Sequence, residues 1–277
     1  MNAIDLSHQA FFHSDDGEWF VGNDGARGPW SEGGCHAGPP TGMIARALEL
    51  AVPDKQLTRL SVDLIRAIPM AGFRIETELL HEGRTVATAR AILLDEKARA
   101  CATANSLHLA ETEMADLPSI SVAAPNFDEA TPGQFPISAG VAHRLPKFGN
   151  AVEVAYPPGE TGEPGPTTLW MRTPPLLEGE VPSPFQRLCP LADCGNAIGR
   201  NAEPDEVSFV NPDLTIVAHR MPRSDWLALR AQSNWHSNGL GMAEATLFDT
   251  AGAIGTALQT LVLRPASRKA GPRMPTS

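Results

Sequence analysis

The hydrophobic positions between residues 42 and 53 recur with the spacing of one face of a helix. They are Met43, Ile44, Ala47, Leu48 and Ala51. Because Pro53 cannot continue a helix, the pattern predicts a helix that begins near Gly42 and ends before Pro53.

After this helix the pattern changes to strand-like runs that are separated by turn-forming residues. The predicted strands are Leu57–Ala67, Phe73–His81, Thr85–Leu94 and Ala100–Leu109. One helix followed by consecutive strands favours an α+β fold with an antiparallel sheet over an alternating α/β fold.

The second half of the chain repeats this order. When the chain is shifted by 154 positions, Thr88–Leu109 overlays Met242–Leu263, and both segments carry an Ala-x-Ala-x-Leu alternation that runs into an Asp-bearing turn. A period of two puts these alanines on one face of a strand, where a helix can lie close to the sheet. We therefore predict a duplicated unit whose second helix covers about Cys189–Ala202 and is entered through Pro190.

Breaks in the pattern divide the chain into two units. Stretches rich in Pro, Gly and small polar residues interrupt it at Leu117–Gln134, Pro157–Pro166 and Ala266–Ser277. The predicted organisation is an N-terminal unit over residues 1–112, a linker over 113–144, a C-terminal unit over 145–265 and a flexible tail over 266–277.

The composition is that of a globular protein, with 277 residues, 42% of them hydrophobic and 19% charged. The formal net charge of -10 repels phosphate backbones, so we expect no nucleic-acid partner. No apolar run approaches the roughly 18 residues of a membrane span. The first 20 residues include Asp15, Asp16 and Glu18, whereas a signal peptide would be basic and then apolar. We expect a cytoplasmic protein without a membrane partner.

The candidate chemistry is narrow. The four cysteines form no C-x-x-C pair, and no H-E-x-x-H spacing is present, so we expect neither a metal nor a cofactor. The Gly-x-Ser-x-Gly motif of α/β-hydrolases is also absent. Cys35 and His36 are adjacent, and chain neighbours usually point apart, which argues against a Cys–His nucleophile.

Short motifs follow one another in a recognisable order between Phe12 and Pro265. They are Gly28-Pro29-Trp30, Gly33-Gly34-Cys35-His36-Ala37-Gly38, Leu191-Ala192-Asp193, Asn211, His219-Arg220, and Leu258-Gln259 with Arg264. In these motifs the chain resembles the acyl-CoA thioesterase II-like family, although that family often has His-Gly-Gly before its first helix. The resemblance implies a double hotdog fold, two tandem copies of a helix wrapped by an antiparallel sheet. It also implies a homo-oligomer that acts in fatty acid metabolism.

The resemblance further implies hydrolysis of an acyl-CoA thioester without a covalent intermediate. In that family an Asp, a Thr or Asn, and a Gln orient one water, and the matching positions here are Asp193, Asn211 and Gln259. Burial would raise the pKa of Asp193 and make it a better general base. In the overlay Asn105 falls on Gln259, so we expect the first copy to be inactive.

The glycine-rich segment before the first helix is the predicted substrate-binding element. Its candidate residues are Gly33, Gly34, His36 and Gly38. Glycines let a substrate approach the backbone, and unpaired N–H groups at a helix N-terminus can stabilise an oxyanion. We expect this segment to supply the oxyanion donor.

Other interpretations of these residues stay open. Asp193 could cap a helix, Asn211 before Pro212 is a common turn signature, and Gln259 could face solvent. The protein could bind an acyl chain or acyl thioester without hydrolysing it, since fold does not imply function. A hotdog hydratase or dehydratase would need a His beside the acid, for which His219 and His236 are candidates.

The acyl chain length and the thiol carrier also stay open. CoA phosphates are normally bound by basic side chains. The candidates in this acidic chain are few, among them Arg66, Arg220 and Arg223, so a carrier-protein or smaller thioester is an alternative to CoA.

Overall fold

The structure is a computed structural model that describes residues 9–118, 120–136 and 143–266. Most strands form one antiparallel sheet of 12 strands, and two longer helices pack against it. The strands are β1 (Phe12–His13), β2 (Val21–Gly22), β3 (Gln56–Leu64), β4 (Arg74–Glu82), β5 (Val86–Leu94), β6 (Ala100–Leu109), β7 (Thr131–Gly133), β8 (Glu153–Tyr156), β9 (Thr167–Arg172), β10 (Val207–Val210), β11 (Asp213–Ala218), β12 (Leu227–Trp235), β13 (Leu240–Asp249) and β14 (Gly252–Pro265). The helices are a 3-10 turn (Asp24–Ala26), α1 (Gly38–Ala51), α2 (Phe148–Ala151), α3 (Pro184–Ala192) and α4 (Gly195–Ile198).

The sheet is nearly symmetric about its centre. Its strand order is β4-β5-β6-β3-β11-β14-β13-β12-β9-β8-β7, with β10 added to β14, so each strand from β3 to β6 has a counterpart across the middle. The two halves meet where β3 pairs with β11, and there the hydroxyls of Ser61 and Thr215 are hydrogen-bonded at 3.1 Å. These two residues are 154 positions apart, the shift seen in the sequence. The α+β double hotdog prediction is confirmed.

The four strands predicted in the first copy are confirmed, with ends that differ from the prediction by at most three residues. The first helix begins at Gly38 rather than Gly42. Pro39 and Pro40 occupy its first turn, where a missing N–H leaves no helical hydrogen bond unmade. Within the predicted linker, β7 pairs with β8 at the edge of the sheet. The unit boundaries at residues 112 and 145 stay predictions.

The second helix was predicted too late in the chain. It begins at Pro184, because Ser183 caps it by accepting a hydrogen bond from the Gln186 N–H at 3.2 Å. Pro190 lies inside α3 rather than at its entrance. The helix ends at Ala192 with Asp193 as its C-cap, and the short α4 follows instead of a continuous helix to residue 202.

The predicted match of Asn105 with Gln259 is also wrong, by one residue. Ala89 of β5 pairs with Ser106, whereas its counterpart Ala243 pairs with Gln259. The reason is the turn between the strands, which has three residues between Asp95 and Arg99 but two between Asp249 and Gly252. Ser106 therefore takes the place of Gln259, and Asn105 is exposed.

The two long helices run antiparallel, pack against the sheet and contact each other closely. Gly42 of α1 faces this contact, since a Cβ there would stand 3.3 Å from the Gln186 carbonyl oxygen of α3. No helix in the described residues has the length and apolar character needed to cross a membrane.

Candidate active site

Asp193 lies where α3 ends, with its side chain turned toward the first turn of α1. The residue is 5% exposed. The two helices approach closely here because α1 begins with glycine: a Cβ on Gly38 would stand 2.8 Å from the Cα of Pro190 and 3.2 Å from the Cβ of Asp193. The partial positive charge of a helix N-terminus favours a carboxylate at this position.

Four polar groups surround the Asp193 carboxylate. The Asn211 side-chain amide donates to Oδ1 at 2.9 Å and the Gln259 amide donates to Oδ1 at 3.2 Å. His36 Nδ1 lies 3.1 Å from Oδ2. The Gly38 N–H donates to His36 Nδ1 at 3.3 Å and also lowers the pKa of the nearby Asp193 carboxyl. Residues from both copies therefore meet at one buried acid.

Burial dominates the electrostatics of this pair. It raises the pKa of Asp193 to about 7, against the opposing effect of the hydrogen bonds from Asn211, Gly38 and Gln259. Burial also lowers the pKa of His36 to about 4. His36 is therefore uncharged at neutral pH, where Asp193 is poised between its two protonation states.

Asn196 connects the two amides that contact Asp193. Its backbone N–H donates to Gln259 Oε1 at 2.9 Å, and its side chain donates to Asn211 Oδ1 at 3.1 Å. Both protons of the Asn211 amide are used, on Asp193 and on the Asp213 carbonyl, and both protons of the Gln259 amide are used on Asp193. These donors therefore hold the Asp193 carboxylate in place. That the three residues orient one water, as the resemblance implies, stays a prediction.

The His36 ring is fixed by an aromatic neighbour. It lies flat against Phe148 of α2, with ring centroids 4.0 Å apart and an interplanar angle of 14°. Phe148 packs in turn on Phe11 and Phe135. This stack leaves the His36 side chain 12% exposed.

Most backbone N–H groups of the glycine-rich segment form hydrogen bonds within the protein. The N–H groups of Gly34, Cys35 and His36 donate to the carbonyls of Ser31, Ile68 and Ala26 respectively. The Gly38 N–H is directed at Asp193 and His36, and Pro39 and Pro40 have none. Among cavity-lining residues of the segment, only the Ala37 N–H has no partner in the described ranges.

A cavity of about 900 Å³ opens beside Asp193. Its charged lining residues other than Asp193 are basic: Arg27, Arg66 and Lys147. Its aromatic and larger aliphatic lining residues are Trp30, Leu64, Ile65, Ile68, Phe135, Phe148, Val152, Phe209 and Val210. The cavity therefore offers apolar surface to an acyl chain and positive charge to an anionic group.

The predicted site residues fall into three groups. Asn211 and Gln259 both lie within hydrogen-bond distance of Asp193, and His36 and Gly38 join them. Gly34 lines the cavity, whereas Gly33 does not. The alternative histidines, His219 and His236, are exposed and do not line it.

Sequence reasoning missed Asn196 and Phe148. Asn196 follows Asp193 by three residues, one turn of a helix, and this spacing is a signal that could have found it. Phe148 carries no such signal, because its contact with His36 joins residues 112 positions apart. Gly133, Gln134 and Phe135 of the predicted linker also line the cavity.

Known proteins share this architecture. The family description "Acyl-CoA thioesterase N-terminal domain" matches residues 26–108, and "Acyl-CoA thioesterase C-terminal domain" matches residues 120–263. The search of curated proteins finds no match. A solved candidate thioesterase from Novosphingobium aromaticivorans is 19% identical with a TM-score of 0.70, covering 92% of this chain and 98% of its own.

Acyl-CoA thioesterase II from Mycobacterium marinum is 16% identical with a TM-score of 0.57, covering 92% of this chain and 96% of its own. At these identities the solved structures show the fold alone. The family descriptions go further, since one matches each copy and together they span most of the sequence. The chain therefore belongs to the acyl-CoA thioesterase family.

Proposed function

We propose that this protein hydrolyses an acyl-CoA thioester to the free acid and CoA, using a water activated by Asp193 and forming no covalent intermediate. The observation that carries the proposal is the buried Asp193 carboxylate beside the 900 Å³ cavity. A pKa of about 7 gives this acid a base form at neutral pH, where a general base works best.

A covalent route through the cavity-lining Cys35 is disfavoured. Burial raises the pKa of its thiol to about 12, so the reactive thiolate is scarce at neutral pH. Its sulfur contacts Met70 Sδ at 3.5 Å. The neighbouring His36 is engaged with Asp193 through Nδ1.

The cavity supports an acyl thioester with an anionic carrier. Its apolar residues suit the acyl chain, and Arg66 and Lys147 offer positive charge to the phosphates of CoA. The phosphopantetheine arm of a carrier protein has the same phosphate chemistry, and the acyl chain length stays open. The cytoplasmic location, the role in fatty acid metabolism and the homo-oligomer remain predictions.

The test is release of free thiol from a panel of acyl-CoAs, short to long, by wild type and Asp193→Ala. We expect the variant to lose about 10²-fold or more in kcat, because the base is removed. Glu49→Gln is the matched control, since it changes a partly buried carboxylate on α1 that does not line the cavity.

Full activity in Asp193→Ala would place the base elsewhere. If folded wild type turned over no acyl-CoA, the alternative of an acyl-binding protein without hydrolysis would replace the proposal. Binding of the same acyl-CoAs to wild type, measured by calorimetry, identifies that alternative.

A second candidate function is reversible addition of water to an unsaturated acyl thioester. The 3.1 Å contact between His36 and Asp193 favours it, because such a hotdog hydratase needs a His beside the acid. Loss of the conjugated enoyl absorbance from an enoyl-CoA, without thiol release, would distinguish hydration from hydrolysis.

A further inference from the structure

We propose that Asn196 is a positioning residue for the proposed hydrolysis. It keeps the side-chain amides of Asn211 and Gln259 in the orientation in which their N–H groups, and not their oxygens, face the acid. The inference rests on the proposed function, because it concerns the ionised form of the Asp193 base. Asn196 lies on α4, three residues after the acid, is 9% exposed and lines the cavity.

The orientation of the two amides matters because an amide side chain has two chemically different ends. Its NH2 group donates hydrogen bonds and stabilises an ionised carboxylate, whereas its oxygen accepts a hydrogen bond and stabilises the protonated acid. A half-turn about the last side-chain bond exchanges the two ends with little change in shape. A neighbour that fixes this orientation therefore helps to decide whether the acid is available as a base.

The Gln259 amide is fixed by the backbone of Asn196. The Asn196 N–H, which can only donate, lies 2.9 Å from Gln259 Oε1, so this oxygen is held against α4. Gln259 Nε2 then donates to the Asp193 carboxylate at 3.2 Å and to the Asp193 carbonyl at 3.1 Å. Gly195 makes room for this contact, since a Cβ there would stand 3.0 Å from Gln259 Oε1.

The Asn211 amide is fixed by the side chain of Asn196. Asn196 Nδ2 donates to Asn211 Oδ1 at 3.1 Å, which leaves the Asn211 NH2 group for the acid. That group donates to Asp193 Oδ1 at 2.9 Å. It also donates to the Asp213 carbonyl at 3.2 Å, and because a carbonyl can only accept, this contact supports the same orientation.

Asn196 and the acid are connected by a short, hydrogen-bonded stretch of chain. The N–H groups of Ala197 and Ile198 donate to the Cys194 carbonyl at 3.0 and 2.9 Å, so the turn that carries Asn196 is closed directly after Asp193. Hydrogen bonds from the two amides lower the pKa of Asp193, while burial raises it to about 7. Loss of either oriented donor would leave the effect of burial less opposed, and the pKa would rise further.

The pH dependence of the rate can report on Asp193, because its titratable neighbours ionise elsewhere. Burial lowers the pKa of His36 to about 4 and raises the pKa of the Cys189 and Cys194 thiols well above their ordinary value. The carboxylate of Asp213 on β11 accepts a hydrogen bond from β14 at 2.6 Å. The cations that line the same cavity are Arg27, Arg66 and Lys147.

The test is the pH dependence of kcat/KM for acyl-CoA hydrolysis by wild type, Asn196→Leu and Gly195→Ala. Asn196→Leu keeps the side-chain shape but removes the donor to Asn211, and Gly195→Ala presses a Cβ against Gln259 Oε1. In each variant we expect the rising limb to move to higher pH by about 0.5 to 1 unit, because one hydrogen bond to a charged group is weakened. The rate at about pH 6 should therefore fall about 3- to 10-fold, while the rate at about pH 9 stays near wild type.

Asn201→Leu is the matched control. The Asn201 amide lies outside the cavity lining and donates to the Ser233 carbonyl at 3.2 Å, so its loss should leave the pH profile of wild type unchanged. Urea unfolding at both pH values shows whether each variant is folded. A loss of activity by the same factor at every pH would indicate a merely structural role and would overturn the inference.

A second measurement does not depend on turnover. Carbon-13 NMR of the aspartate carboxyl carbons follows the ionisation of Asp193, whose signal is assigned by its absence from Asp193→Asn. We expect its midpoint at higher pH in Asn196→Leu and in Gly195→Ala than in wild type. Unchanged midpoints in both variants would overturn the inference while leaving hydrolysis intact. Wild type without any acyl-CoA hydrolysis would overturn the proposed function itself, whatever the midpoints are.

Discussion

The two ends of the antiparallel helix pair each carry a buried carboxylate, yet their surroundings differ. At one end Asp193 of α3 faces the first turn of α1 and lines the cavity. At the other end Glu49 of α1 faces the first turn of α3, where Ser183 and Gln186 contact it at 2.6 to 2.9 Å. Burial raises the pKa of Glu49 as it does that of Asp193.

The difference lies in what the sheet contributes. Gln259 of β14 reaches Asp193, whereas the residue in the equivalent position of β6 is the shorter Ser106. Ser106 donates to the Ala89 carbonyl at 3.1 Å and contacts His108 at 2.9 Å. The symmetric fold therefore places an acid at both ends, and the strand side chain and its neighbours decide which acid joins a site.

The largest expected effect concerns the stability cost of the Asp193 charge. Its folded pKa of about 7 lies above the model-peptide value of 3.8, so folding stability is lost as pH rises from about 4 to about 7. We expect Asp193→Asn to be more stable than wild type at pH 8, by up to about 4 kcal/mol, with the excess shrinking toward pH 4. Urea unfolding of both proteins at the two pH values measures this.

Hydrolytic activity should rise with pH while the stability of wild type falls. The rise should run through about pH 7, because Asp193 ionises there, beside a cavity that is also lined by the cations Arg27, Arg66 and Lys147. Glu49→Gln provides the comparison, with a smaller stability change in the same direction, since Glu49 is less deeply buried. If the difference in unfolding free energy between Asp193→Asn and wild type were the same at every pH, the raised pKa assigned to Asp193 would be contradicted.

Exchanging the strand residues tests the comparison directly. Gln259→Ser gives the second copy the residue of the first, and removes two hydrogen bonds to Asp193 and one from Asn196. We expect kcat to fall about 10- to 100-fold, the equivalent of one or two hydrogen bonds to a charged group. Ser106→Gln is the reciprocal control, and acyl-CoA hydrolysis by it should stay near wild type. Equal losses in both variants would show a general effect on the sheet.

The smallest expected effect concerns the close contact of the helices. Gly38→Ala puts a Cβ 2.8 Å from the Pro190 backbone, so α1 and α3 must separate at Asp193. We expect a loss of about 1 to 3 kcal/mol in unfolding free energy, together with lower activity. Gly33→Ala is the matched control, since a Cβ there meets nothing within 4 Å. Calorimetric melting of both variants distinguishes the cost of the clash at the helix contact from the effect of replacing any glycine by alanine.

The sequence predicted the parts of the site that depend on local order. The motif positions of Asp193, Asn211 and Gln259 brought out three residues that the fold places in contact. It did not predict that the Asn211 and Gln259 side-chain amides donate their hydrogen bonds to other groups of the protein, because hydrogen-bond partners depend on distances between strands and helices. The predicted start of α3 lies too late, because both Pro184 and Pro190 can open a helix and only the contact of Ser183 with Gln186 shows which of them does.

By itself the sequence determined the fold class, the duplication and the acid, since hydrophobic period, turn residues and short motifs are properties of neighbouring residues. Only the tertiary structure decided the partner of that acid. His36 lies 157 positions before Asp193, and they meet because the start of α1, with Gly38 at the contact, packs against the end of α3. A one-residue difference in turn length likewise makes Ser106, not Asn105, the first-copy equivalent of Gln259. The reason is that hydrogen-bond register, and not a constant shift in sequence, decides which residues of two strands pair.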